Sequence, residues 1–273
     1  MLVPVKRLEW RVQVDVPEGI RDADYTPNSL MTEPDLSVCV STCDRKNSYV
    51  NPMLATMMSD ALPRRMKVNL VVSGTCGKYL EAYKHLRRFS VNVWDSESWL
   101  KMRELPNKFK ASFNYIKCLS ILEKPNCLVF EDDLVFQNDW WRKFVRCISD
   151  IESDGHERYI FSLFTPWRIN SSKNYAKVAR SMWGGTQAMY YPMSILKQMR
   201  EYLNSLTNEV CMQKEPSDPP YLHAYDMIIK EWCILENIPI FTCVESLVQH
   251  VGKVTAGGTG ENILSSDCFY GLD

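Results

Sequence analysis

The sequence predicts an α/β protein built on a mainly parallel sheet flanked by helices. Three observations carry that expectation. Short apolar, β-branched runs alternate with helix-length amphipathic stretches through the first half. The connections between them are short, which favours parallel βαβ units. One apolar run, 127–130 (CLVF), passes straight into three acids, Glu131, Asp132 and Asp133. No linker divides the 273 residues, so one domain is expected.

Taken in order, 8–16 alternates well enough for a strand, and the polar, turn-rich 17–34 reads as a lead-in loop. Residues 36–41 (LSVCVS) look like a strand buried on both faces, ending in the polar loop Thr42-Cys43-Asp44-Arg45. A helix over 52–62 leads to a second buried strand, 68–72, closed by 73–77 (SGTCG). A helix over 79–88 and a short strand over 90–94 follow. Phe113, Ile116, Leu119, Ile121 and Leu122 then give 109–122 a helical period.

After the acids comes a second apolar run, 134–136, and a helix beginning near Asn138 and Asp139. The second half is less regular. Strands are expected over 159–164, 188–191 and 239–242, and helices over 194–203 and 224–236, with Asp226 in the first turn of the latter. Residues 215–220 (EPSDPP) read as a loop, and 245–260 end in a glycine-rich tail. Ligands of open α/β sheets gather at the carboxyl ends of the strands. The loops after Ser41, Val72 and Phe130 should therefore face one cleft.

Three adjacent carboxylates at a strand end repel one another and are costly to desolvate. A hard divalent cation, Mg²⁺ or Mn²⁺, answers both problems. The plainer alternative is a solvated acidic turn, although apolar runs on either side pin these acids to the edge of a core.

Composition removes several classes of partner. With 32 basic and 33 acidic residues the formal net charge is −1, which gives no reason to expect a nucleic acid. The densest basic group, 84–88 (KHLRR), reads as a solvated helix face. No window approaches 18 consecutive apolar residues, so no transmembrane segment is expected. The first residues lack an apolar core of signal-peptide length. Ten cysteines are scattered without a CxxC pair, and are expected as reduced, buried thiols in an intracellular, cytoplasmic setting.

Together, LVFEDD (128–133) and SLVQHVG (246–252) resemble the GT-A-type, nucleotide-sugar-dependent glycosyltransferases. The EDD form is similar to the animal N-acetylglucosaminyltransferases that build N-glycan branches, and the second stretch to the branching N-acetylglucosaminyltransferase IV group. The resemblance spans about 36–252 and includes the order of parts: first strand, EDD, glycine-bearing strand, acid on a helix, late histidine. It implies a GT-A (Rossmann-like) mixed, mainly parallel sheet. Residues 1–34 would form the lead-in, 35–135 a nucleotide-binding half, and 136–273 an acceptor-binding half with the tail. It implies a UDP-sugar donor (UDP-xylose, UDP-N-acetylglucosamine, UDP-glucose or UDP-galactose), an oligosaccharide or glycoprotein glycan acceptor, and Mn²⁺ or Mg²⁺. The membrane anchor and luminal stem of the animal enzymes have no counterpart in this sequence. That is more like the free-standing enzymes of bacteria, or of large viruses acting in host cytoplasm.

By that resemblance Asp133 is the direct metal ligand, Asp132 acts through the ribose or a metal-bound water, and Glu131 shapes the nucleotide pocket. His250 ligates the metal or contacts the diphosphate, against a purely structural role. Ser41, Thr42 and Arg45 belong to the nucleotide-binding loop, where Arg45 pairs with the diphosphate or with a surface acid. Ser73 and Gly74 lie against base or ribose, or in a plain turn. Lys110 and Asn114 share a helix face that reaches the nucleotide or simply faces solvent. Trp183, Gly184 and Gly185 let the backbone approach the donor sugar beside an aromatic wall, or form a bulge. An inverting transfer needs a base for the acceptor hydroxyl, and Asp226 is the candidate, with Glu231 as runner-up. Trp140 and Trp141 are expected in the core, and the tail is a lid or a frayed terminus.

Two other classes compete. A sugar nucleotidyltransferase would carry a glycine-rich basic loop after its first strand, where this chain has STCDRKNS (41–48). A non-catalytic nucleotide- or carbohydrate-binding module of the same fold would have no need of a base paired with the metal ligand.

Overall fold

The computed structural model describes residues 36–43, 49–59, 66–73, 78–94, 107–121, 124, 126–212 and 225–251. The expectations placed on 8–34, Arg45, Gly74, 215–220 and the tail beyond Val251 lie outside them. Ten strands are present among the described residues: β1 (Leu36–Cys43), β2 (Val68–Ser73), β3 (Phe89–Val93), β4 (Asn126–Glu131), β5 (Leu134–Phe136), β6 (Ile160–Ser162), β7 (Tyr175–Val178), β8 (Ala188–Tyr191), β9 (Ile240–Cys243) and β10 (Val248–His250). The helices are α1 (Val50–Ser59), α2 (Lys78–Glu81, continued by a 3₁₀ turn at Ala82–His85), α3 (Asn107–Ser120), α4 (Trp140–Ser153), α5 (Met193–Met212) and α6 (Tyr225–Leu235).

Eight strands form one sheet in the order β3-β2-β1-β4-β8-β6-β9-β7, and β5 and β10 form a separate pair. The pairs β2–β3, β1–β2, β1–β4 and β6–β9 are parallel, whereas β8 runs antiparallel to β4 and β6, and β7 antiparallel to β9. The mixed, mainly parallel sheet flanked by helices is thus what the chain builds.

Strand alternation explains the two cores. Leu36, Val38, Val40, Leu128 and Phe130 point to one face, beneath α1 and α4; Cys39, Cys127 and Val129 point to the other, beneath α3, α5 and α6. Helix α4 buries Trp140, Phe144, Ile148 and Ile151, spaced four, four and three apart, so one stripe faces the sheet. Each such side chain contributes about 1.5–3 kcal/mol of burial. The Trp140 indole is fully buried and donates to the Met57 carbonyl at 2.9 Å, tying α4 to the end of α1. Both tryptophans of 140–141 lie in the core as expected.

Several boundaries shift for local reasons. The helix expected from Asn138 starts at Trp140, because Asp139 is left-handed (φ 60°) and stands outside it. Helix α1 begins at Val50, with Pro52 in its first turn, where a missing N–H costs nothing. The helix expected over 79–88 gives way to the 3₁₀ turn, and Lys84 and Arg87 are exposed as the basic cluster predicted. Strands β7 and β10, four and three residues long, are too short to signal themselves. They are set by partners far away in sequence, β9 and β5 respectively.

The strand order reverses at β1, whose neighbours are β2 and β4. The crevice at such a reversal lies outside the carboxyl ends of the strands. Here Ser41 faces Glu131 across β1–β4, and Cys43 faces Ser73 across β1–β2. The three strand ends expected to share a cleft are side by side.

Candidate metal centre

The site is assembled by the way the chain leaves β4. Glu131 is the last residue of the strand, Asp132 and Asp133 bend, and β5 departs to pair antiparallel with β10. In that register His250 stands opposite Leu134, one residue past Asp133, and Val251 N–H donates to the Asp133 carbonyl at 2.9 Å. The short β5–β10 pair thereby fixes a late histidine against the acid triplet. His250 Nε2 lies 3.2 Å from Asp133 Oδ1.

Glu131, Asp133 and His250 each offer one ligand atom, and these atoms lie within 4.8 Å of one another. The cluster could hold a metal ion. Its electrostatics fit one: burial, followed by the nearby Asp133 charge, pushes the Glu131 carboxyl up to about 7, while a hydrogen bond from Tyr225 and the nearby His250 pull it down. Two carboxylates held close and largely dry have a surplus of negative charge that a cation would neutralise. Glu131 was expected to shape the nucleotide pocket; the structure places one of its carboxylate oxygens within 4.8 Å of ligand atoms on Asp133 and His250.

Asp132 points elsewhere. It is 1% exposed and its Oδ2 accepts from Thr42 Oγ1 at 2.7 Å, joining the carboxyl ends of β1 and β4. Asn114, on α3, braces the same ends. Its Nδ2 donates to Ser41 Oγ (2.8 Å), the Val71 carbonyl (3.0 Å) and the Thr42 carbonyl (3.3 Å), and its Oδ1 accepts from Trp94 Nε1 (2.8 Å). A carboxamide so fully engaged inside the protein holds β1, β2 and the chain after β3 in register. Lys110 is half-buried one turn earlier on α3. Ser73 is half-buried at the end of β2 and donates to the Thr42 carbonyl at 3.4 Å.

Asp226 is half-buried in the first turn of α6, and Glu231 is exposed further along that helix. The neighbouring Tyr225 links this turn to the cluster: its hydroxyl donates to Glu131 Oε1 at 2.5 Å and its ring stacks on Tyr115 at 4.4 Å. Burial, and then the Glu131 charge, hold the Tyr225 phenol well above its ordinary range, so it remains a donor. Sequence reasoning passed over Tyr225, which stands between Ala224 and Asp226 with no charge of its own to mark it.

The segment before β8 is divided. Trp183 is buried in the same core that holds Val178, Ile228, Trp232 and Ile238, and its indole N–H has no hydrogen-bond partner among the described residues. Gly184 is exposed, with open space where a Cβ would stand. Gly185 has a left-handed φ of 92° and is crowded by the side chain of Gln187. Gln187, which sequence reasoning passed over, accepts from Glu131 N–H at 2.8 Å through its carbonyl and so lies beside the cluster.

No protein-family model matches the sequence, and no curated protein matches it. Among solved structures, the chain is similar to the galactosyltransferase LgtC, crystallised with donor and acceptor sugar analogues. The identity is 10% and the TM-score 0.45, over 72% of this chain and 70% of that one. A likeness at that level assigns no role to any residue here. Among the described residues, no helix is long and apolar enough to cross a membrane.

Proposed function

We propose that the protein is a metal-dependent glycosyltransferase that moves a sugar from a UDP-sugar to a glycan hydroxyl with inversion. The observation that carries this reading is the Glu131–Asp133–His250 cluster at the carboxyl end of the central strand, beside the reversal point of the sheet. Glu131, Asp133 and His250 would hold the ion, and the imidazole favours Mn²⁺ over the harder Mg²⁺. When bound, such an ion supplies Lewis-acid stabilisation of the charge that develops on a departing diphosphate.

The chain's own groups supply the rest. Thr42, Asp132 and Asn114 hold the ends of β1, β2 and β4 as a rigid floor, so the donor's diphosphate is oriented without reorganisation. The backbone at Ser41, Ser73 and Gly184 offers the nucleotide and sugar a close approach, with Arg45 and Lys110 as cations for phosphate. Asp226 takes the proton of the acceptor hydroxyl as that oxygen attacks the anomeric carbon. Its helix is held to the cluster by the Tyr225–Glu131 bond. We read the whole chain as one such domain, acting in an intracellular aqueous compartment.

Calorimetric titration of UDP into the protein with and without Mn²⁺ tests the reading. Binding that requires the ion, and that Asp133→Ala removes, supports it. UDP binding that ignores both the ion and the substitution would refute the metal-bridged diphosphate.

A further inference from the structure

We propose that Gln187 contacts a hydroxyl of the donor sugar directly and helps select it, an inference that rests on the donor-binding reading above. Gln187 is 8% exposed, and its Oε1 is buried with no hydrogen-bond partner among the described residues. Leaving such an acceptor dry and unpaired is unfavourable, so natural folds rarely retain one without a use.

The position is defined by the sheet. Phe130 pairs with Ala188 in the antiparallel β4–β8 register, and Glu131 N–H continues that ladder onto the Gln187 carbonyl. Residues directly opposite in an antiparallel pair present their side chains to the same face. Gln187 and the metal-cluster residue Glu131 are therefore neighbours on one side of the sheet.

The second observation is the space prepared for it. A Cβ at Gly185 would lie 2.4 Å from Gln187 Oε1, 2.6 Å from Nε2 and 2.9 Å from Cδ. The carboxamide is folded onto the Gly185 backbone, which glycine alone permits, both by this space and by its φ of 92°. A glycine two residues ahead of a carboxamide whose buried oxygen has no partner among the described residues is the arrangement of a polar group held ready for an incoming partner.

The chemistry of that partner follows from the atom. With Oε1 at the buried position, that atom needs a donor, which fully ionised phosphate oxygens do not supply. A sugar hydroxyl donates and accepts, so it satisfies the carboxamide whichever way the amide is turned.

The test compares UDP with UDP-glucose, UDP-galactose, UDP-N-acetylglucosamine and UDP-xylose, titrated with Mn²⁺ into the wild type and Gln187→Leu. The variant should hold UDP within about twofold of wild type and lose about tenfold for the preferred UDP-sugar, the order expected for one lost hydrogen bond. The ligand-free Gln187→Leu protein should unfold no earlier than wild type, since the acceptor it loses is unsatisfied; Gln187→Met serves if the leucine variant does not fold. Equal losses for UDP and UDP-sugar, or no loss for either, would overturn the assignment of Gln187 and leave the donor reading standing. A wild type that binds none of these nucleotides would overturn both.

Discussion

Replacing Glu131 with glutamine isolates the electrostatics of the cluster. Glutamine keeps the shape and the oxygen that accepts from Tyr225, but cannot ionise. In the metal-free protein the Glu131 carboxyl is raised from 4.5 to about 7 by burial and by Asp133. Between those values the unfolded chain has lost the proton and the folded chain keeps it. The folded state then binds more protons, and stability falls as pH rises through this window. At about 1.4 kcal/mol per pH unit, the loss complete above pH 7 is about 3 kcal/mol. Glu131→Gln removes it. Below pH 4.5 the two proteins should match; at pH 8 the variant should be the more stable by about 3 kcal/mol, or about 6–12 °C in Tm for a chain of this size. Mn²⁺ should narrow the gap: at a hundredfold excess over its Kd it adds about 2.7 kcal/mol to the wild type and much less to the variant. Urea denaturation at pH 4.5, 6 and 8, with and without Mn²⁺, reads both effects. A variant less stable than wild type at pH 8 without metal, and equally stabilised by Mn²⁺, would refute the reasoning.

Other perturbations address the remaining parts of the site. Asn114→Ala removes three donated bonds and the partner of the Trp94 indole, and should cost about 2–4 kcal/mol in urea denaturation. Thr42→Val keeps the volume but strips a hydrogen bond from the buried Asp132 side chain, so urea denaturation should show stability lower by about 1–3 kcal/mol. Asp226→Asn should abolish sugar transfer and leave UDP binding unchanged by calorimetry; full activity in this variant would place the base elsewhere.

The parts of the fold legible in the sequence were those whose signal is local. Runs such as 36–40 and 127–130 are apolar on both faces, and that pattern has few interpretations other than a central strand. Strands β7 and β10 were not legible, because Lys177 and Gln249 face solvent or half-buried surroundings and the strands exist through β9 and β5. The site divides the same way. The acid triplet announced itself by charge at a strand end, and the structure adds that its members differ: Asp133 and Glu131 turn to His250, while Asp132 turns to Thr42. That split depends on the departure of β5 from the main sheet, which no spacing encodes. Asn114, expected to reach the nucleotide or face solvent from its helix, is instead buried, and its hydrogen bonds run to the backbone of two strands. Gln187 and Tyr225 carried no signal, since a lone glutamine or tyrosine near a strand or helix end is ordinary. Their meaning comes from what the register places beside them.

The central claim is most directly tested by release of UDP from the four UDP-sugars, measured without acceptor in the presence and absence of Mn²⁺, with Asp133→Ala alongside. The account predicts slow release from one donor that requires the ion and is lost in the variant. Release that is equal with and without Mn²⁺, or that survives Asp133→Ala, would contradict it.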